Sequence, residues 1–378
     1  MLLPPRHDGA KAPYCSIYNE EAWFPATGDR WGPNHNNTGS LVRLWGGGSG
    51  AAVAAGNGGT PGSDVSNPGH GYSVRCVRDM EPVQDIPGAA NTYLITQAGS
   101  YSFDATVKGN GGLDPATGKQ ATRIDKASIA GVKVLWEIGE QGRAIKHDGT
   151  SYAISYSDGT VTFSTPDTFV SGAASVAIYN ASDEILWSWL IWTTEQPSTV
   201  EHNGKVFMDR NLGAVSPGNN LRGFLYQWGR KDPFSAATGA YNSFTFVPAL
   251  TTAFGTINGI QTIAYTIAHP TMHINNGDEN SWMSQEEYAT RPWRDDIKTI
   301  YDPSPEGWRV PTADEQNGFG GLPGTGFSNA LNEFGNPGSG YYRSTTITAY
   351  PRAYAFRQSG ERNNWGTNPA MAIRCVKD

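Results

Sequence analysis

The last five residues of the chain, Arg374-Cys375-Val376-Lys377-Asp378, repeat Arg75-Cys76-Val77-Arg78-Asp79 with one conservative change. The offset is 299 positions (374 − 75). Upstream of these, Pro25-Ala26-Thr27-Gly28 matches Pro323-Gly324-Thr325-Gly326 at an offset of 298 (323 − 25). Two matches in the same order and one residue out of step read as a duplicated module with a single gap. Such a chain holds the end of one module, an intervening segment and a whole second module. The expected division is therefore 1–79, 80–196 and 197–378. The chain is expected to begin inside the first copy, with the front of that copy and any export signal lying upstream.

A chain of 378 residues predicts two or three domains. With 46 Gly, 24 Pro, 17 % charged and 11 % aromatic residues, it favours strands, turns and ordered loops over long helices. The net charge of −7 argues against nucleic acid as a partner, since phosphates demand a basic face. The three cysteines, Cys15, Cys76 and Cys375, are too far apart for a zinc set and too few for a disulfide framework. Cys15 and Cys76 are a possible pair. No apolar run approaches the length of a membrane span, and the first residues lack a signal-peptide core.

In 1–79, residues 40–45 read as a strand, the glycine- and alanine-rich 46–62 as loop, and 72–76 as a last strand. A proline-marked linker covers 80–90. Six or seven short strands follow to 195. Two flank Gly99, and one covers 132–138. Another pair flanks Ser157-Asp158-Gly159-Thr160, a strong hairpin signal, and residues 174–179 pair with 185–192. Ile185 to Trp192 is apolar on both faces, so that strand is expected to be central. The pattern predicts a β-sandwich of immunoglobulin type. From 197 on, a hairpin turns on Asn203-Gly204, residues 235–300 show little periodicity, and a short helix is expected at 312–316. The final strands are expected at 341–347, 353–357 and 371–376.

Four phrases carry a family resemblance: Met208-Asp209-Arg210-Asn211-Leu212-Gly213-Ala214, Tyr226-Gln227-Trp228-Gly229-Arg230-Lys231-Asp232-Pro233, Gly307-Trp308-Arg309-Val310-Pro311-Thr312 and Ile373-Arg374-Cys375-Val376-Lys377. In this order they resemble the Fibrobacter-succinogenes-type major paralogous domain of Bacteroidetes surface proteins, which is similar to C-type-lectin-like and sulfatase-modifying-factor-like folds. The resemblance implies a mainly β chain: a partial lectin-like copy, an Ig-like β-sandwich and a complete C-type-lectin-like α+β module. It implies a non-enzymatic cell-surface or extracellular protein, an adhesin or fimbrial-tip-like component binding a glycan or a host or partner protein, with other pilins or surface proteins as further partners and no cofactor. The alternatives are a sulfatase-modifying-type enzyme or accessory and a structural pilus or surface spacer. The family pattern places Cys after Tyr301-Asp302-Pro303, where this chain has Ser304, so the resemblance implies that a staple to Cys375 is missing.

Trp228, Arg230, Asp232, Trp308 and Arg309 read as core and buried ion pairing, with Asp209 or Asp232 as the carboxylate a buried Arg requires. His269 and His273 have a metal-like spacing, but Pro270 lies between them and no Glu follows His269. Residues 275–280 are rich in oxygen ligands, yet read better as a polar turn than as a calcium loop. The pattern Asn363-Asn364-Trp365 does not support lectin-type calcium binding, and no nucleophile–base set can be assembled. Tyr341, Tyr342, Arg343, Tyr350, Arg352, Tyr354, Asn363, Asn364 and Trp365, with Arg357 and Arg362 among them, are residue types that build binding surfaces. They are the candidate ligand face.

Overall fold

The computed structural model describes residues 82–138, 141–214, 223–234, 254–277, 280–330, 336 and 339–378. It also describes the backbone of short strands within 29–65 and at 246–247 and 333–335. The chain divides into two compact units, Met1–Met80 and Glu81–Asp378. In the first unit, Leu41–Trp45 pairs with Ala51–Gly56, which pairs with Gly62–Val65. The glycine- and alanine-rich stretch expected to be loop therefore contains a strand: without bulky side chains, its backbone still completes a ladder. Cys15, Cys76 and the 72–76 strand lie outside the described residues.

The second unit is mainly β, with several small sheets. Its first seven labelled strands are β1 (Thr92–Ile95), β2 (Ser100–Asp104), β3 (Gly131–Ile138), β4 (Ile154–Ser157), β5 (Thr160–Ser164), β6 (Gly172–Tyr179) and β7 (Ile185–Thr193). One sheet has the order β3-β6-β7-β1, extended beyond β3 by Phe246–Val247, and the other has the order β4-β5-β2, extended by Gln84–Asp85. The sheets pack face to face. Phe103 of β2 lies 4.4 Å from the Tyr93 ring of β1 and 5.0 Å from the Trp189 ring of β7. Strand β7 is interior to its sheet, between β6 antiparallel and β1 parallel, and it is apolar on both faces because each is covered: Trp189 packs on Phe103 of the facing sheet, while Ser188 and Trp192 meet Asp232 and Ala214 of the C-terminal part. The hairpin between β4 and β5 turns on Asp158 and Gly159, both at positive φ (43° and 90°), which matches the twist of the strands it joins.

The C-terminal part begins with the hairpin β8 (Thr199–His202) and β9 (Lys205–Met208). Three short helices follow, α1 (Ile263–Ala268), α2 (Gln285–Thr290) and α3 (Ala313–Gln316), with β10 (Met272–Asn275) after α1 and β11 (Trp308–Arg309) before α3. Then come β12 (Phe327–Ala330), β13 (Tyr341–Ile347), β14 (Arg352–Arg357), β15 (Arg362–Gly366), β16 (Met371–Ala372) and β17 (Val376–Lys377). The two larger sheets are β8-β9-β17-β11 and one in which Leu225–Tyr226 precedes β16-β13-β14-β15, while β10 pairs with Gly255–Asn258 and β12 with Glu333–Gly335. The single strand expected over 371–376 is thus two strands in different sheets. The chain leaves one at Ala372 and joins the other at Val376, with Cys375 sealed between them.

One hydrophobic core runs through both parts of this unit. It contains Tyr93, Phe103, Trp136, Trp187 and Trp189 together with Met208, Trp228, Trp282, Trp293, Tyr301 and Cys375. The sequence phrases that looked like module signatures are the residues that hold the two parts together. Asn91 Nδ2 donates to Ile300 O (2.7 Å) and Asp302 O (2.8 Å), while its Oδ1 accepts from Trp187 Nε1 (3.1 Å). Thr92 Oγ1 donates to Pro303 O (2.6 Å). The buried Lys231 ammonium pairs with Asp232 (2.7 Å), donates to Ser188 O and lies 4.7 Å from the Trp187 ring centre. Ser188 Oγ in turn donates to Asp232 (2.6 Å).

Candidate functional site

The edge strand β15 and its neighbour β14 pair Tyr354 with Asn364 and Phe356 with Arg362, so these alternate positions share one face with Arg352. On that face, the Arg362 guanidinium lies 4.8 Å over the half-buried Tyr354 ring and reaches the exposed Asp314 (3.4 Å). Arg352 Nη1 donates to Asn364 O (3.0 Å), and Thr348 Oγ1 donates to Asn364 Oδ1 (2.9 Å). Arg352, Tyr354 and Asn364 are therefore brought together, with Arg362, in one accessible polar-aromatic patch. A ring carrying a cation on one side and flanked by amide and guanidinium donors is suited to a polar ligand with an apolar face, such as a sugar.

The other candidate positions are placed elsewhere. Tyr342 shares the Tyr354 face but is fully enclosed, its hydroxyl donating to Pro323 O (2.5 Å). Tyr341 and Trp365 lie on the opposite face and pack on Phe327 with ring centres 5.1–5.3 Å apart. Asn363, also on that face, donates to Glu361 O (3.5 Å). Tyr350 meets the Tyr288 ring of α2 at 5.3 Å and donates to Met283 O. Arg343 is completely buried, and its Nη2 donates to Gly366 O (2.7 Å) and Pro369 O (2.5 Å), bracing the crossing from β15 to β16. Burial without a carboxylate pushes its pKa down to about 9.

Of the residues read as core, Trp228, Arg230 and Asp232 are buried, whereas Trp308 and Arg309 are only half-buried, and one pairing differs from the expected one. Trp228 is fully buried, and its indole donates to Ser344 O (3.1 Å). Arg210 pairs with Asp209 (2.8 Å), and Arg309 pairs with Glu315 (2.6 Å). Asp232 takes Lys231, not Arg230. Arg230 donates instead to Gln227 Oε1 (2.9 Å) and Met272 O (2.8 Å), and its guanidinium lies 4.8 Å over the Phe234 ring. Burial, only partly offset by Asp232, lowers it to about 10.

His269 caps the end of α1 and stacks on Tyr265 (4.1 Å), whereas His273 is buried in β10 against Ser328 O (3.2 Å). Burial, with the Arg230 charge, lowers His273 to about 3, so it is neutral at physiological pH. Among the described residues no group of three His, Cys, Asp or Glu is arranged to hold a metal ion. Asp278 and Glu279 of the oxygen-rich turn lie outside the described residues. Comparisons with protein-family models, with curated proteins and with solved structures find no match to this chain.

Proposed function

We propose that the protein is a non-enzymatic surface adhesin or fimbrial-tip-like component. In this reading the C-terminal part is a C-type-lectin-like module, carried on an Ig-like sandwich, and it binds a glycan or a partner protein at the cell surface. The observation that carries the reading is the accessible patch of Tyr354, Arg362, Arg352 and Asn364. It joins a half-buried ring to directional donors at the edge of its sheet. Two further observations support it. Ser304 Oγ and Cys375 Sγ are 3.3 Å apart, as expected where the family pattern pairs two cysteines. The face-to-face sheets of residues 82–195 also suit an Ig-like layer. The sulfatase-modifying alternative needs a reactive thiol. Burial pushes Cys375 up to about 12, which keeps this one protonated and inert.

Glycan-array and host-protein binding by the full chain tests the proposal. Tyr354→Ala combined with Arg362→Ala is expected to abolish the binding in a chain that, though less stable for the lost ring packing, still unfolds cooperatively well above the assay temperature. Binding that survives this pair of changes removes the patch as the site, and a chain that binds nothing on either array points to a spacer.

A further inference from the structure

The guanidinium of Arg230 is held on one side only. Arg230 closes the turn that begins at Gln227: its N–H donates to Gln227 O (3.0 Å), and Gly229 between them takes a positive φ of 86°. Arg230 is 2 % exposed. Its Nη1 donates to Gln227 Oε1 (2.9 Å) and to Met272 O (2.8 Å). Gln227 is itself tied by Nε2 to Ile274 O (2.8 Å) and Asn368 O (2.6 Å), so this side of the guanidinium is clamped. The Phe234 ring, 4.8 Å away, covers one flat face.

The other edge is unspent. Nε and Nη2 are both buried and neither has a hydrogen-bond partner. Their N–H groups run parallel, in the side-on fork with which a guanidinium grips an anion. Arg343 differs: its unpartnered nitrogens, Nε and Nη1, lie on different edges and do not converge on one point.

The charge is uncompensated as well. Among the buried cations, Arg210 pairs with Asp209 and Lys231 with Asp232. Asp232 is the carboxylate that acts on Arg230, yet its Oδ1 already accepts from Lys231 (2.7 Å) and Ser188 (2.6 Å). His273, whose ring lies 5.0 Å from the Phe234 ring, is neutral. Arg230, Lys231 and Asp232 therefore carry one net positive charge in the interior, where an unpaired charge is strongly disfavoured. A water molecule satisfies two parallel donors and leaves the charge, while a dianion overcompensates it. A fork this enclosed suits a single small ion rather than a ligand with a body of its own. We propose that the Nε–Nη2 edge of Arg230 binds a small monovalent anion of the halide class, chloride in ordinary solution, as the counter-ion of the Arg230–Lys231–Asp232 group. This site is independent of the Tyr354 patch.

Two measurements on the full chain test it. Urea midpoints are read as sodium chloride replaces sodium gluconate at constant ionic strength, since gluconate is too bulky for the fork. The midpoint is expected to rise with chloride and then to level off, as binding to the folded chain alone requires. Arg230→Met removes that dependence, Arg230→Lys, which lacks the fork, weakens it about tenfold, and Arg343→Met keeps it. Crystals of the unaltered chain grown in sodium bromide are expected to show an anomalous peak in the fork, which decides the site even where a variant fails to fold. A midpoint indifferent to chloride overturns the proposal and marks any bromide there as an adventitious ion only. A chloride dependence retained by Arg230→Met, or a fork without an anomalous peak, overturns it too.

Discussion

Ser304 Oγ and Cys375 Sγ, 71 positions apart in sequence, meet in the sealed interior, so the place of a cross-link is already formed. Ser304→Cys is expected to close a disulfide with Cys375 under oxidising conditions and to stabilise the fold by about 3–4 kcal/mol. The measurement is thermal unfolding with and without reductant, in which only the oxidised variant rises. Two other residues set the response to acid. Burial raises the Glu315 carboxyl, but the paired bonds from Arg309, the Thr312 N–H and Lys205 outweigh it, and the pKa falls to about 2. Its stabilisation is fully present above the ordinary carboxylate range and is lost as pH falls from about 4.5 towards 2. His273 is depressed to about 3, so the unfolded chain binds its proton first and stability falls as pH drops below about 6.5. Urea midpoints measured against pH are expected to decline in both windows. His273→Gln flattens the upper window, and Glu315→Gln flattens the lower.

At the scale of elements, the structure rests on short pieces tied by side chains. Helix α3 has only four residues, yet Thr312 and Glu315 close a reciprocal capping box at its start. Thr312→Ala is expected to cost about 1 kcal/mol, read from denaturant midpoints. Strand β1 matters more than its four residues suggest, because Asn91 immediately before it links Trp187 to the backbone at Ile300 and Asp302. Asn91→Ala leaves a buried indole N–H and two carbonyls without their partner, and a loss of about 3 kcal/mol is expected in the same measurement. The hairpins were legible because Asp158-Gly159 and Asn203-Gly204 carry the positive φ that such turns need. Helices α1 and α2 were not legible, since six residues are too few to show a helical period. The strand β15 was missed as well, because Arg362-Asn363-Asn364 has no apolar alternation.

For the whole second unit, the continuous core makes the sandwich and the C-terminal part mutually dependent. Trp187, Ser188 and Asn91 contribute one wall, and Lys231, Asp232 and Tyr301 contribute the other. A fragment of residues 81–378 is expected to unfold in one transition, with fluorescence and circular dichroism curves superimposing. A fragment of 197–378 alone leaves Lys231 and Asp232 without Ser188 and uncovers the Phe224 and Tyr301 rings, which pack on Trp136 and Trp187. It is expected to lack dispersed NMR signals, whereas an independently folded fragment would show that the two parts are separable.

The sequence by itself determined the β-rich class, most hairpins and strands of the described residues, and the buried character of the Trp228 phrase. Those properties follow from local chemistry: alternation, turn residues and side-chain size. It did not determine which of the Tyr, Arg and Asn residues between 341 and 365 reach solvent. That depends on register, which puts Arg352, Tyr354, Arg362 and Asn364 on one face and turns Tyr341 and Trp365 to the other. Nor did it determine that the family-like phrases bind the preceding sandwich, or that Arg230 keeps one edge of its guanidinium unspent. Contacts between residues far apart in sequence carry no periodic signal, and only the tertiary structure brings them together.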